Sequence, residues 1–176
     1  GFRVSTLLDH EATKAAMGAA YPDEAVDAVL FAMADRGRLG RKANAGFYAY
    51  DEKGTRIGLW EGLADLWPVA PSQPDLAEVQ HRLMMVQVLE AVRALEEGVL
   101  TDIREGDVGA ILGWGFAPWT GGPFSWLDMI GAGRAVEICD GLAAKGARFA
   151  APKLLRELAA KGQSFYGRFG AVERAA

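Results

Sequence analysis

The sequence predicts an all-α protein made of two successive helical units, and three observations predict it. Apolar residues recur at three- and four-residue steps through most of the chain, which is the period of a helix with one buried face. No alternating apolar–polar stretch runs longer than four residues, so no half-buried strand is called for. Pro68, Pro71 and Pro74 interrupt the helical pattern near its middle, where proline cannot continue a helix and favours extended backbone.

Taken in order, the first element is a short helix starting near Asp9, whose carboxylate can cap free N–H groups. Pro22 then suits the first turn of a helix over Asp23–Met33, because its missing N–H would be unpaired there anyway. Val26, Val29, Leu30 and Met33 form that helix's apolar face. The segment Gly37-Arg-Leu-Gly-Arg-Lys-Ala-Asn-Ala-Gly-Phe-Tyr-Ala-Tyr50 has glycines at 37, 40 and 46, which describe a tightly turned loop. Phe47, Tyr48 and Tyr50 give the loop something to bury at its far end. Residues 49–54 read as a turn, and Trp60 to Trp67 as a short apolar turn.

The proline segment, residues 68–74, is the expected linker between units at 1–67 and 75–176. Ser72 or Asp75 starts the longest helix, which ends near Gly98, a residue suited to the left-handed position past a helix end. Leu83, Val86, Leu89, Val92 and Leu95 form its stripe, widened by Met84, Met85, Val88 and Ala91. Helices follow over Arg104–Leu112 (ending at Gly113), Phe124–Ile130 and Arg134–Leu142, and Pro152 opens the last, through Ala160. Trp114 to Gly122 is an aromatic, glycine-rich loop. A partial repeat accompanies this plan: Phe2 to Phe47 and Phe124 to Phe165 are similar separations, each across a helix pair.

Composition narrows the function classes. The chain has 176 residues, 51% apolar and 24% charged. A chain of that size can bury one ordinary core or two small ones. A net charge of −4 argues against general nucleic-acid binding, which needs an excess of Lys and Arg. No apolar run approaches the roughly 20 residues of a membrane-spanning helix. The start, Gly1-Phe2-Arg3-Val4, lacks a secretory layout and an initiator methionine, so a piece of a longer cytoplasmic protein is expected. Cys139 stands alone, which excludes an internal disulfide, and its apolar surroundings describe a small core residue. His10 and His81 with one cysteine are too few for an ordinary zinc site, so no metal is expected.

Arg36, Arg38, Arg41 and Lys42 concentrate positive charge around the first glycine loop. Such a loop is either a solvated surface or a neighbour of a phosphate-bearing ligand, and Arg can hold a phosphate with two parallel donors. The aromatic loop also has two readings. It could line an acyl-chain slot, since such pockets are mostly apolar, or it could fasten the loop between helices and cover an adjacent domain.

The wording of these segments resembles a known family. Gly37 through Lys42 with Gly46-Phe-Tyr48 resembles the end of the first C-terminal domain of 3-hydroxyacyl-CoA dehydrogenases. Glu90–Leu100, Gly106-Asp-Val108, Gly113-Trp-Gly-Phe-Ala-Pro118, Gly121-Gly-Pro-Phe124 and Leu127-Asp128 resemble the last helical domain of the same family. The likeness is greatest to the multifunctional enoyl-CoA hydratase/3-hydroxyacyl-CoA dehydrogenase chains of fatty-acid β-oxidation. It implies two homologous helical domains, of which this chain holds the latter part of the first and all of the second.

In that family a histidine paired with a glutamate takes the substrate hydroxyl proton while NAD+ accepts the hydride, work that suits an imidazole titrating near neutral pH. The family's histidine lies in a His-Phe-Phe-Asn-Pro-like segment of a preceding nucleotide-binding domain, and no such segment occurs here. Nor does a strand followed by Gly-x-Gly-x-x-Gly; Gly113-Trp-Gly115 is a fragment of that pattern behind a helix. The resemblance therefore implies no catalytic residue, no NAD site and no turnover in this chain by itself, with NAD serving the full-length enzyme. His81 falls where the family's first domain carries a catalytic asparagine, and is expected to have no such duty. Phe2, Arg41 and Lys42 are the candidates on the substrate side, facing acyl-CoA. Trp114, Phe116, Trp119, Phe124 and Trp126 are the candidates for packing against another domain. Partners implied are the nucleotide-binding domain, with a thiolase subunit or a homodimer contact as further ones. The competing reading is a stand-alone helical interaction or dimerisation module of the same descent.

Overall fold

The computed structural model describes residues 12–18 and 24–170, and its chain contacts separate two compact units, Gly1–Ser72 and Gln73–Ala176. Phe2, Asp9, His10 and Pro22 lie outside the described residues. The protein is mostly helical, as the periodicity predicts.

The first unit contains α1 (residues 12–17), α2 (Glu24–Asp35), a 3-10 turn at Arg41–Ala43, and α3 (Leu63–Leu66). Between them lies a feature that the helical period does not announce: β1 (Tyr48–Tyr50) pairs antiparallel with β2 (Arg56–Leu59). Tyr48 lies opposite Leu59 and Ala49 opposite Gly58, with a bulge between Ala49 and Tyr50. The predicted turn is present, but it joins two strands rather than standing alone. Asp51 builds it, because one carboxylate oxygen accepts the N–H groups of Lys53 (2.9 Å) and Thr55 (2.8 Å). Gly54 has a positive φ of 75°, a backbone twist that a side chain would resist. Strands of three and four residues are too short to show a period of two.

Within α2, Met33 is buried while Leu30 is exposed, so the apolar face is narrower than the spacing suggests. α3 resolves the apolar turn at Trp60–Trp67 as one helical turn.

Among its described residues the second unit has helices and no strand. It comprises α4 (Leu76–Glu96), α5 (Ile103–Trp114), α6 (Pro123–Ile130), α7 (Ala132–Leu142), α8 (Lys153–Lys161) and α9 (Phe165–Phe169), with 3-10 turns at Pro118–Thr120, Ala143–Lys145 and Ala147–Phe149. Asp75 caps α4, its carboxylate accepting the N–H groups of Ala77 and Glu78. Gly98 follows its end with a φ of 69°. The core is formed by Met85, Val88, Leu89 and Val92 of α4 with Ile103, Phe124, Leu127, Leu155, Leu158 and Phe165. Each such side chain contributes about 1.5–3 kcal/mol by leaving water.

Two expectations are corrected here. The buried stripe of α4 runs through Met85, Val88, Leu89 and Val92; Leu83 points out and is 61% exposed. The aliphatic residues of α4 cover nearly its whole circumference, so periodicity alone does not choose the inward side. The chain also does not finish with α8, because Ser164 starts a further short helix, α9. Its five residues are fewer than a periodic pattern needs to be seen. Phe165 fills the core there, its ring 5.3 Å from that of Phe124.

Candidate functional site

The glycine loop of the first unit divides its cations into two pairs. Arg38 is structural: its guanidinium donates to the carbonyls of Gly46 (2.8 Å) and Tyr48 (3.2 Å) and lies 4.0 Å over the ring of Trp60. Arg36 donates to Ala32 O on its own helix. Arg41 and Lys42 instead sit on the exposed 3-10 turn, without a side-chain partner among the described residues. The loop is closed by bridges from Ala45 to Gly40 and Ala49, and a Cβ on Gly46 would come within 2.9 Å of the Gly40 Cα. Asn44 takes the left-handed conformation with a φ of 51° and donates from its side chain to Asp51 O. The first unit therefore presents Arg41 and Lys42 to solvent on a rigidly tied loop.

The aromatic loop of the second unit also splits. Phe116, Phe124 and Trp126 lie in that unit's own core. Trp114 and Trp119 face outward, 62% and 84% exposed. Only these two aromatic residues of the predicted five offer their rings to anything beyond the unit.

What the motif Gly106-Asp-Val, Gly121-Gly-Pro-Phe, Leu127-Asp does is visible in two hydrogen-bonded joints, at α6 and α9, beside a third at α8 that lies outside it. At α6, Gly122 is the cap residue and has no side chain, and Pro123 has no N–H. Asp107, buried on α5, reaches across and accepts from Phe124 N (2.7 Å) and Ser125 N (3.1 Å). It thereby satisfies the free donors that a buried helix start cannot leave bare. The same carboxylate accepts from Ser125 Oγ (2.6 Å) and from the Tyr166 hydroxyl on α9 (2.9 Å). At α9, Asp128 of α6 accepts from Phe165 N (2.6 Å) and Tyr166 N (2.8 Å), while Ser164 Oγ accepts from Gly167 N. At α8, Glu96 of α4 accepts from Leu154 N. Arg93 of α4 completes the set, donating to the carbonyls of Arg148 and Ala150.

The glycines of the motif make this possible. A Cβ on Gly106 would meet Leu100 and Phe124, and one on Gly122, whose φ is +118°, would overlap the Asp107 carboxylate. Asp107 is thus filled by four donors from its own unit, while Asp128, half-buried, gives one oxygen to each of two backbone N–H groups. The phenol of Tyr166 titrates above its ordinary value because burial and then the Asp107 hydrogen bond disfavour the phenolate. Burial likewise pushes the Cys139 thiol up to about 11, so its reactive thiolate form is suppressed. On the exterior, hydrogen bonds from Arg104 lower Asp102 to about 2, and Arg156 holds Asp140 below the usual carboxylate range.

Sequence reasoning missed Asp107, Asp128, Glu96, Arg38 and Tyr166 as organising residues. A cap normally shows as Ser, Thr, Asp or Asn next to the helix it caps. Here Asp107 lies 17 residues before Phe124 and Asp128 lies 37 before Phe165. His81 sits half-buried on α4. Among the described residues, no group of three or more His, Cys, Asp and Glu side chains could hold a metal. No described helix is long and apolar enough to cross a membrane.

Comparison with known proteins places this arrangement. Over 134 residues, 73% of the chain, it is 40% identical to the fatty acid oxidation complex subunit alpha of Shewanella amazonensis. Across that stretch the two chains are homologous. The resemblance read from the sequence is therefore borne out to this extent: the relative is a subunit of a fatty acid oxidation complex. The chain spans 19% of that relative's length. No family model matches it.

Proposed function

We propose that the chain is the C-terminal helical portion of a multifunctional β-oxidation enzyme that oxidises 3-hydroxyacyl-CoA to 3-ketoacyl-CoA with NAD+. The units at 1–67 and 75–176, joined by residues 68–74, are the latter part of its first C-terminal domain and the whole of its second. The chain's task is to support the acyl-CoA cleft and to pack against neighbouring domains; proton abstraction and NAD+ binding belong to a preceding nucleotide-binding domain. One observation carries this reading: in the second unit, the aspartates of the matching motif are consumed by helix starts of that same unit. Asp107 and Asp128 hold α5, α6 and α9 together through these donors, and the buried Asp107, filled by four of them, has no place left for a substrate.

Two surfaces complete the proposal. Arg41 and Lys42, exposed and cationic, are the groups through which the first unit meets the phosphates of CoA, and Phe2 belongs to the substrate side. Trp114 and Trp119 are the contacts offered to another domain or to a partner subunit, a thiolase or a second copy.

The experiment compares the full-length natural protein with residues 1–176 alone. The full-length protein should produce NADH from a 3-hydroxyacyl-CoA, and calorimetry should find no NAD+ binding to the isolated chain. Arg41→Ala with Lys42→Ala, made in the full-length protein, should raise KM for the CoA substrate while leaving kcat within about twofold, the pattern of lost ground-state binding. NADH formation by the isolated chain, or a full-length protein inert toward 3-hydroxyacyl-CoA, would overturn the reading. The second result would favour an interaction module.

A further inference from the structure

We draw no further inference here: the strongest candidate, the outer face of α5, where Gly109 and Gly113 leave open space beside the exposed Val108 and Leu112, is an unpartnered apolar face with a stripe of small residues, and nothing in the structure shows what covers it.

Discussion

Replacing Asp107 by Asn removes a charge and almost no volume, so its effect isolates the hydrogen-bonded joint between α5, α6 and α9. In the native chain one carboxylate oxygen receives Phe124 N, and the other receives Ser125 N, Ser125 Oγ and the Tyr166 hydroxyl. An amide keeps one acceptor. Whichever way it is oriented, its NH2 faces a backbone N–H of the first turn of α6, and that donor is then unsatisfied. The hydroxyls of Ser125 and Tyr166 can rotate to accept, so they recover part of their loss. A lost cap costs about 0.5–2 kcal/mol, and a hydrogen bond to a charged group is worth about 1.5–3 kcal/mol. Because these overlap in one group, about 3 kcal/mol is the expected destabilisation, or a fall in Tm on the order of 10 °C for a unit of this size. Urea unfolding followed by circular dichroism measures it, and Tyr166→Phe completes a double-mutant cycle. Tyr166→Phe should cost about 1 kcal/mol less in the Asp107→Asn background than in the native one, because contacting groups are not additive. A destabilisation below about 0.5 kcal/mol, under the range for a lost cap and charged hydrogen bond, would show that Asp107 does not hold the three helices. Strict additivity with Tyr166→Phe would show the same.

Three further outcomes are expected. Gly109→Ala and Gly113→Ala, at helical positions with open space around the added methyl, should each stabilise the second unit by about 1 kcal/mol in urea titrations; Gly122→Ala, with positive φ and the Asp107 side chain in the way, should prevent its folding. Stability should fall in acid: Asp102 and Asp140 are more acidic folded than unfolded, so their contribution is complete above the unfolded value of 3.8 and disappears as pH drops through about 2 for Asp102. Urea midpoints followed down this acid range test it, and Asp102→Asn should flatten the slope. Arg38→Ala should weaken the hairpin by about 2 kcal/mol through two lost hydrogen bonds and one cation–π contact, read by amide exchange at Gly46 and Trp60, whereas Arg41→Ala and Lys42→Ala should change it by less than about 0.5 kcal/mol.

Much of the fold was legible before any coordinates. The helical period, Asp75 before α4, Gly98 after it and Pro152 at the start of α8 are local signals. A residue's preference for a cap, a left-handed bend or a first turn depends on its own chemistry and a few neighbours. The resemblance was legible because Gly106-Asp107, Gly121-Gly122-Pro123-Phe124 and Leu127-Asp128 are short patterns that can be read in order along the chain.

The role of those residues was not legible, and neither were the hairpin, α9 or the inward side of α4. Tyr48–Tyr50 and Arg56–Leu59 are too short to declare themselves, and their pairing is decided by Asp51 and Arg38 binding the turn and the loop carbonyls. Among the aromatic residues 114–126, composition is the same for those that fill the core and those that face water. Only the assembled helices send Phe116, Phe124 and Trp126 inward and leave Trp114 and Trp119 outside. Sequence by itself determined the longer helical segments and the family they resemble, because those properties are written in local chemistry. Tertiary structure decided that Asp107 and Asp128 serve as remote caps. A hydrogen bond between residues far apart in the chain exists only once folding has brought donor and acceptor within about 3 Å of each other.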